Sequence, residues 1–206
     1  MKTYDDLYIE FLAYFNSTRD YFECHEVLEE IWKEEQDQGL KVAYQALLQV
    51  AVALYHWRRH NDIGATKTFV KALKNIEISK ASIDALGVDV DDLVKQSQQC
   101  MEEIEQGKDY RSINLKLDNQ VLPVYEAYCQ KHNLPLYAVS DLSDTFLVNK
   151  HSLRKKDEVT INNIIKYMEH FHTNVPNTWV ARHSIEQIQA MIEEAIKDNE
   201  EINFKQ

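Results

Sequence analysis

Glycine and proline are scarce in this chain, with four glycines and three prolines among 206 residues. Architectures built from many β-strands need frequent tight turns, and such turns depend on these two residue types. Their scarcity therefore favours long helices over a turn-rich β fold. Apolar residues make up 44% of the chain, which is enough for a hydrophobic core and argues against disorder.

Cysteines are few in this chain, and long apolar runs are absent. An odd number of cysteines without Cys-x-x-Cys spacing indicates neither a disulfide framework nor a zinc knuckle. A membrane-spanning helix needs about 18 or more apolar residues, and the nearest candidate, 42–57, is interrupted by three polar side chains. The N-terminus carries no apolar signal segment. We therefore expect a reduced, cytoplasmic protein without a membrane partner. The three cysteines are Cys24, Cys100 and Cys129.

Acidic residues outnumber basic residues in this chain, and the formal net charge is −11. Proteins that bind nucleic acid or anionic lipid need clustered lysine and arginine to contact phosphates. Only the pair Arg58-Arg59 and the run 154–156 are compact basic groups. The composition therefore argues against a nucleic-acid binder. A protein partner or a homo-oligomer is compatible with it, and it does not identify a substrate.

Apolar residues recur at helical spacing along most of the chain, which predicts an all-α bundle. The third predicted helix, about 40–59, is apolar almost all round and is expected at the centre of the bundle. Gly39 is the expected end of the preceding helix, and Asp62 and Asp89 are the expected caps of the fourth and fifth helices. Weak periodicity over 133–156 predicts loop or extended chain. The predicted helices cover about 4–16, 21–36, 40–59, 63–78, 89–106, 119–132, 157–172 and 184–198.

The chain changes character after residue 107, where the periodicity becomes weaker. We therefore predict two parts. Residues 1–107 form a helical bundle around the helix at 40–59, and residues 108–206 form a helical extension packed on it. A separate small domain over 108–206 is the alternative.

An imidazole and a carboxylate occupy the apolar stripe of the second helix. At 100° per residue, Glu29 and Trp32 each fall within about 40° of His25. Burying charged groups costs several kcal/mol unless they are hydrogen-bonded, neutralised or bound to a ligand. This segment is therefore the first place to look for a functional site.

The third helix carries its own polar stripe, formed by Gln45, Gln49 and His56. Two helices joined by a short turn are expected to be antiparallel neighbours. The two polar lines are therefore predicted to face each other across the core as one buried seam.

Three linked motifs in this region resemble domain-of-unknown-function family 309, a small all-helical family of bacteria and archaea. The resemblance implies an all-helical fold over about 20–78, and such sequences are sometimes labelled predicted metal-dependent hydrolases. One departure is His60, where the family pattern usually has glycine. Histidine adopts the left-handed backbone conformation at modest cost. The motif positions are Phe22, His25, Glu26, Leu28, Glu29 and Trp32, then Leu47, Gln49, Ala51, Ala53 and His56, then Arg59, Asn61, Gly64 and Ala65.

A metal site is the most specific interpretation of the seam. His25 and Glu29 at i and i+4 can reach one ion, and His56 from the facing helix would complete a set of two histidines and one carboxylate. Bound Zn²⁺, Mn²⁺ or Fe²⁺ would lower the pKa of a ligand water, with Glu26 as the candidate general base. The remaining candidates, as groups that orient ligands or contact a substrate, are Gln45, Gln49, Trp32, Arg59 and Asn61.

A structural network is the competing interpretation. In it, Glu29 hydrogen-bonds to a histidine and Gln49 joins them, so that the network fixes the register of two helices. The protein is then a non-catalytic helical module that binds a protein partner. The sequence contains no nucleotide fingerprint, phosphate loop or nucleophile elbow, so it leaves both function classes open.

Overall fold

Helices are the regular elements of residues 4–153, the part of the chain that the computed structural model describes. One isolated antiparallel bridge, between Val88 and Leu117, is the only strand-like pairing within those residues. The all-α prediction is thus confirmed, whereas the helices expected near 157–172 and 184–198 lie outside the described residues. The elements are α1 (Asp6–Ala13), a π-helical turn (Tyr14–Thr18), α2 (Tyr21–Glu34), α3 (Gln38–Arg58), α4 (Asp62–Ala85), α5 (Val90–Glu105), α6 (Leu122–Lys131) and α7 (Thr145–Leu153).

Short polar side chains cap the starts of most helices. Each of these caps accepts a hydrogen bond from a backbone N–H two or three residues ahead, which stabilises a helix by about 1 kcal/mol. Asp89 caps α5 as expected, but Asn61, not Asp62, caps α4, because its side chain accepts from the Gly64 N–H. The capping residues of α1 to α5 are Asp5, Asp20, Asp37, Asn61 and Asp89.

Gly39 does not end α2, contrary to expectation. The helix already ends at Glu34, and Asp37 caps α3 by accepting from the Leu40 N–H, so Gly39 lies in the first turn of α3. A Cβ atom at Gly39 would lie 2.8 Å from Ser82 Oγ. The glycine therefore allows α3 and α4 to approach closely at this end.

α3 is the central helix, as its composition predicted. It packs on α2 along one side and on α4 along another. The buried side of α2 includes Cys24, Leu28 and Ile31, and the buried side of α4 includes Phe69 and Ile76. Burial of each large apolar side chain stabilises the fold by about 1.5–3 kcal/mol. Across the described residues, no helix combines the length and the apolarity needed to cross a bilayer.

The end of α3 depends on the left-handed conformation of His60, whose φ is 57°. The His60 N–H donates to the Trp57 carbonyl and the Asn61 N–H donates to the His56 carbonyl. These two bonds form a Schellman motif, which usually has glycine at the left-handed position. Histidine takes this conformation here, as the sequence analysis allowed.

The segment after α5 is held on the helices by two buried arginines. Arg19, only 1% exposed, donates to the carbonyl oxygens of Phe15 and Ile113 at 2.7 and 2.6 Å and to that of Ala138 at 2.7 Å. It also donates to the Asn114 side chain. Arg58 donates to the Arg19 carbonyl, to Ser140 Oγ and to the Leu147 carbonyl.

Residues 145–153 form α7, so the prediction of loop or extended chain throughout 133–156 is wrong. Asp144 caps the start by accepting from the Leu147 N–H at 2.9 Å, and Asn149 has non-helical dihedral angles that kink the helix. The short and kinked helix shows no clear apolar stripe, which explains why periodicity missed it. Residues 1–151 form one compact unit. A helical extension beginning at 108 stays a prediction.

Replacing Arg19 by methionine is expected to lower the free energy of unfolding by at least about 3 kcal/mol, because two buried carbonyls and one partly buried carbonyl lose their donor. Urea denaturation measures the change. Lys95→Met, at an exposed site on α5, is the matched control and should change stability by less than about 0.5 kcal/mol. Equal effects of the two substitutions would contradict the anchoring role of Arg19.

Candidate metal centre

Three potential metal ligands lie on one side of α2. Asp20 caps this helix by accepting from the Glu23 N–H, and Cys24 and Leu28 are fully buried on its inner side. His25 and Glu29 are each one position further along the chain than these buried residues. Their side chains therefore lie at the edge of the buried face, 41% and 39% exposed.

The polar atoms of the cluster are close together. His25 Nδ1 lies 3.3 Å from Glu26 Oε1 and 3.9 Å from Glu29 Oε2. One ligand atom from each of the three residues lies within 4.8 Å of the others. Lys33 Nζ contacts the other oxygen of Glu29 at 2.8 Å. The α2 cluster, as we call His25, Glu26 and Glu29, is the only group of this kind within residues 4–153.

The surroundings of His25 favour its charged form. The hydrogen bond to Glu26 raises the pKa of His25, partial burial opposes this effect, and the charges of Glu26 and Glu29 add to the increase. Two carboxylates next to one imidazole thus stabilise a positive charge, which can be a proton on the ring or a bound cation.

The expectation of a buried seam is wrong for the α2 residues. His25 and Glu29 are partly exposed, and Trp32 is 38% exposed with Lys41 Nζ located 5.8 Å from the centre of its ring. The helix turns Leu28 and Ile31 to the core instead. These charged groups therefore keep much of their hydration, and they do not carry the large desolvation cost that the sequence suggested.

The polar stripe of α3 is engaged mainly with α4. Gln49 Oε1 accepts a hydrogen bond from Asn75 Nδ2 of α4 at 3.0 Å, and Gln45 is exposed. His56 Nδ1 pairs with Asn61 Nδ2 at 3.1 Å, just before α4. The structure therefore brings His25, Glu26 and Glu29 together, but it does not place His56 in their group.

His56 has an environment opposite to that of His25. Burial and the positive charge of Arg59 lower the pKa of His56, and its hydrogen-bond partner is a neutral amide. It is therefore a neutral imidazole that helps to fix the junction between α3 and α4.

Arg59 and Asn61 also belong to this junction. Arg59 Nε donates to Asn149 Oδ1 in α7 at 3.1 Å, and Asn61 caps α4. A Cβ atom at Gly64 would lie 2.5 Å from the Asn61 side chain. The motif containing Arg59, Asn61 and Gly64 therefore has a clear role in shaping the turn between two helices.

Lys150 is a neighbour of α2 that no sequence pattern predicted. Its Nζ lies 2.6 Å from Asp20 Oδ2 and 2.6 Å from Glu23 Oε1, and 5.9 Å from the centre of the Phe22 ring. This ion-pair group lies at the first turn of α2, directly before His25 in the sequence. No local pattern signals such a contact, because it joins residues 130 positions apart.

The part of the chain that contains the α2 cluster is similar to known proteins. A family profile described as Domain of unknown function (DUF309) matches residues 8–68. The uncharacterized protein YpuF of Bacillus subtilis (strain 168) is 37% identical over 157 residues, which cover 76% of this chain and 90% of the relative. This chain belongs to the DUF309 family. No solved structure matches it.

The DUF309 match contains all the residues of the α2 cluster and of the α3 stripe. The resemblance seen in the three sequence motifs is thereby confirmed. Neither the name of the family nor that of its Bacillus relative specifies an activity.

The two histidines are expected to titrate on opposite sides of the ordinary histidine pKa of 6.5, with His25 above and His56 below. Histidine NMR signals recorded across pH measure both values. Glu26→Gln should lower the pKa of His25, since it removes the largest cause of the increase, and the exposed Glu30→Gln is the control. A His25 pKa below 6.5 in the wild-type protein would contradict the described cluster.

Proposed function

We propose that this DUF309 protein binds a divalent transition-metal ion through His25, Glu26 and Glu29, and that the ion serves hydrolytic chemistry. The observation that carries the proposal is the convergence of one imidazole nitrogen and two carboxylate oxygens within 4.8 Å on one helix. In this proposal Glu26 is a ligand and not only a general base, and His56 is not required.

The distances suit a zinc-sized ion. Ligands bonded at 2.0–2.2 Å in a tetrahedral site are about 3.4 Å apart. The His25–Glu26 and His25–Glu29 pairs measure 3.3 and 3.9 Å, and all three ligand atoms lie within 4.8 Å of one another, which is close to the spacing that a tetrahedral ion requires. Imidazole and carboxylate ligands suit Zn²⁺, Mn²⁺ and Fe²⁺.

The partial exposure of the cluster supports a catalytic site over a purely structural one. Structural zinc sites have four protein ligands, whereas catalytic sites have three and keep a position for water. Three ligands on a half-exposed helix face leave that position on the solvent side. A bound ion there would lower the pKa of its water to near neutrality and supply a nucleophile for hydrolysis.

A specific observation also favours the second candidate, a non-catalytic interaction module. Trp32 is 38% exposed and Lys41 lies over its ring, and exposed tryptophans are typical of protein interfaces. In this alternative, His25 is protonated and its charge is balanced by Glu26 and Glu29 without an ion. The two candidates differ in one measurable property, which is metal binding.

Isothermal titration of metal-free protein with Zn²⁺ and Mn²⁺ is expected to show one site per chain. His25→Ala and Glu29→Gln should each weaken binding at least about tenfold, because each removes a ligand. His56→Ala and Glu30→Gln are matched controls from outside the cluster and should leave affinity unchanged. Hydrolysis of activated ester and phosphate substrates should then require the metal and be lost in His25→Ala.

The titration distinguishes the two candidates directly. Absence of binding to the wild-type protein, or equal affinity in His25→Ala, would leave the interaction module as the function. Binding without hydrolysis of any tested ester or phosphate would support the metal site and reject the hydrolytic role against these substrates.

A further inference from the structure

The outer face of α4 carries an unusual surface for a chain with a net charge of −11. Six exposed residues fall within about 100° of arc and span about 22 Å of helix. Three of them are lysines, and the other three are aliphatic side chains that are 54–72% exposed. We call this surface the α4 stripe, and it consists of Ile63, Lys67, Val70, Lys71, Lys74 and Ile78.

The three lysines have no carboxylate within ion-pair distance among residues 4–153. The only carboxylate paired nearby on the same helix is Glu77, and its partner is Lys80 at 2.7 Å. Lys67, Lys71 and Lys74 follow one another at i, i+4 and i+7, where like charges destabilise a helix. The stripe therefore combines like-charge repulsion within the helix with apolar surface that stays in contact with water.

We propose that the α4 stripe binds an acidic amphipathic helix of a partner protein. Charge complementarity argues for an acidic partner, because three unpaired lysines are concentrated here on an otherwise acidic protein. The aliphatic side chains Ile63, Val70 and Ile78 argue for an apolar ridge on that partner. A helix with glutamates beside a leucine ridge matches both features.

Nucleic acid and lipid fit the stripe less well. The stripe contains no arginine or aromatic side chain, and phosphate backbones offer nothing to its three aliphatic residues. A lipid surface needs lysines at the edges of an apolar face. Here Lys67 and Lys74 lie between the aliphatic residues, so insertion of Val70 and Ile78 would bury charge in the bilayer.

Fluorescence anisotropy with a synthetic acidic amphipathic peptide, in which glutamates flank a leucine ridge, tests the proposal on the full chain. The wild-type protein should bind the peptide, and high salt should weaken binding. The triple variant Lys67→Glu, Lys71→Glu and Lys74→Glu should weaken it at least about tenfold, since it reverses every charge of the stripe. Val70→Ser with Ile78→Ser should also weaken binding while the charge stays the same.

The matched control reverses three exposed lysines elsewhere, with Lys95→Glu, Lys108→Glu and Lys131→Glu, and produces the same change in net charge. Circular dichroism checks that each variant is folded. The proposal is overturned if the control triple loses as much affinity as the stripe triple or if a scrambled peptide of the same composition binds equally. It is also overturned if phosphatidylglycerol vesicles or duplex DNA bind more tightly than the peptide.

Discussion

Two buried guanidinium groups determine how the described chain is assembled. Arg19 connects the π-helical turn to residues 113–114 and to residue 138, and Arg58 connects α3 to residues 140 and 147. Within residues 4–153, neither arginine has a carboxylate within ion-pair distance. Their partners are mainly backbone carbonyls, and Arg58 also stacks on the Tyr21 ring at 4.9 Å. For Arg19, charge-assisted hydrogen bonds to several carbonyls together compensate a desolvation cost that one such bond could not. Arg58 is less completely satisfied, because its Nε is buried without a hydrogen-bond partner among the described residues.

The two arginines also hold the start of α2 in place. Arg19 takes a left-handed conformation immediately before the capping residue Asp20, and its own carbonyl accepts from Arg58. Asp20 then caps α2 and pairs with Lys150. The position of the α2 cluster, only one turn further on, is therefore set by residues far away in the sequence. A change at Arg19 or Lys150 acts on the cluster through the helix start.

The sequence predicted much of the fold, because periodicity and capping chemistry are local. The buried face of α3 and the Asp89 cap both follow from residues within one or two turns. The prediction of a buried seam between α2 and α3 was wrong for a different reason. Spacing tells which side chains share a face of a helix, but the packing of α3 between α2 and α4 decides which neighbour that face meets. Gln49 consequently pairs with Asn75 of α4.

The α2 cluster is partly exposed, so water screens the repulsion between its two carboxylates and allows them to lie close together. The folded-state pKa of His25 lies above the ordinary value of 6.5, so its protonation stabilises the fold at pH below 6.5. This contribution is lost as pH rises through the raised pKa, and solvent screening keeps it small. Above that pH the ring nitrogen offers a lone pair beside two carboxylates, which is the state that the proposed metal site requires. In the proposed metal site, proton and metal would compete for one place, and rising pH would favour the metal.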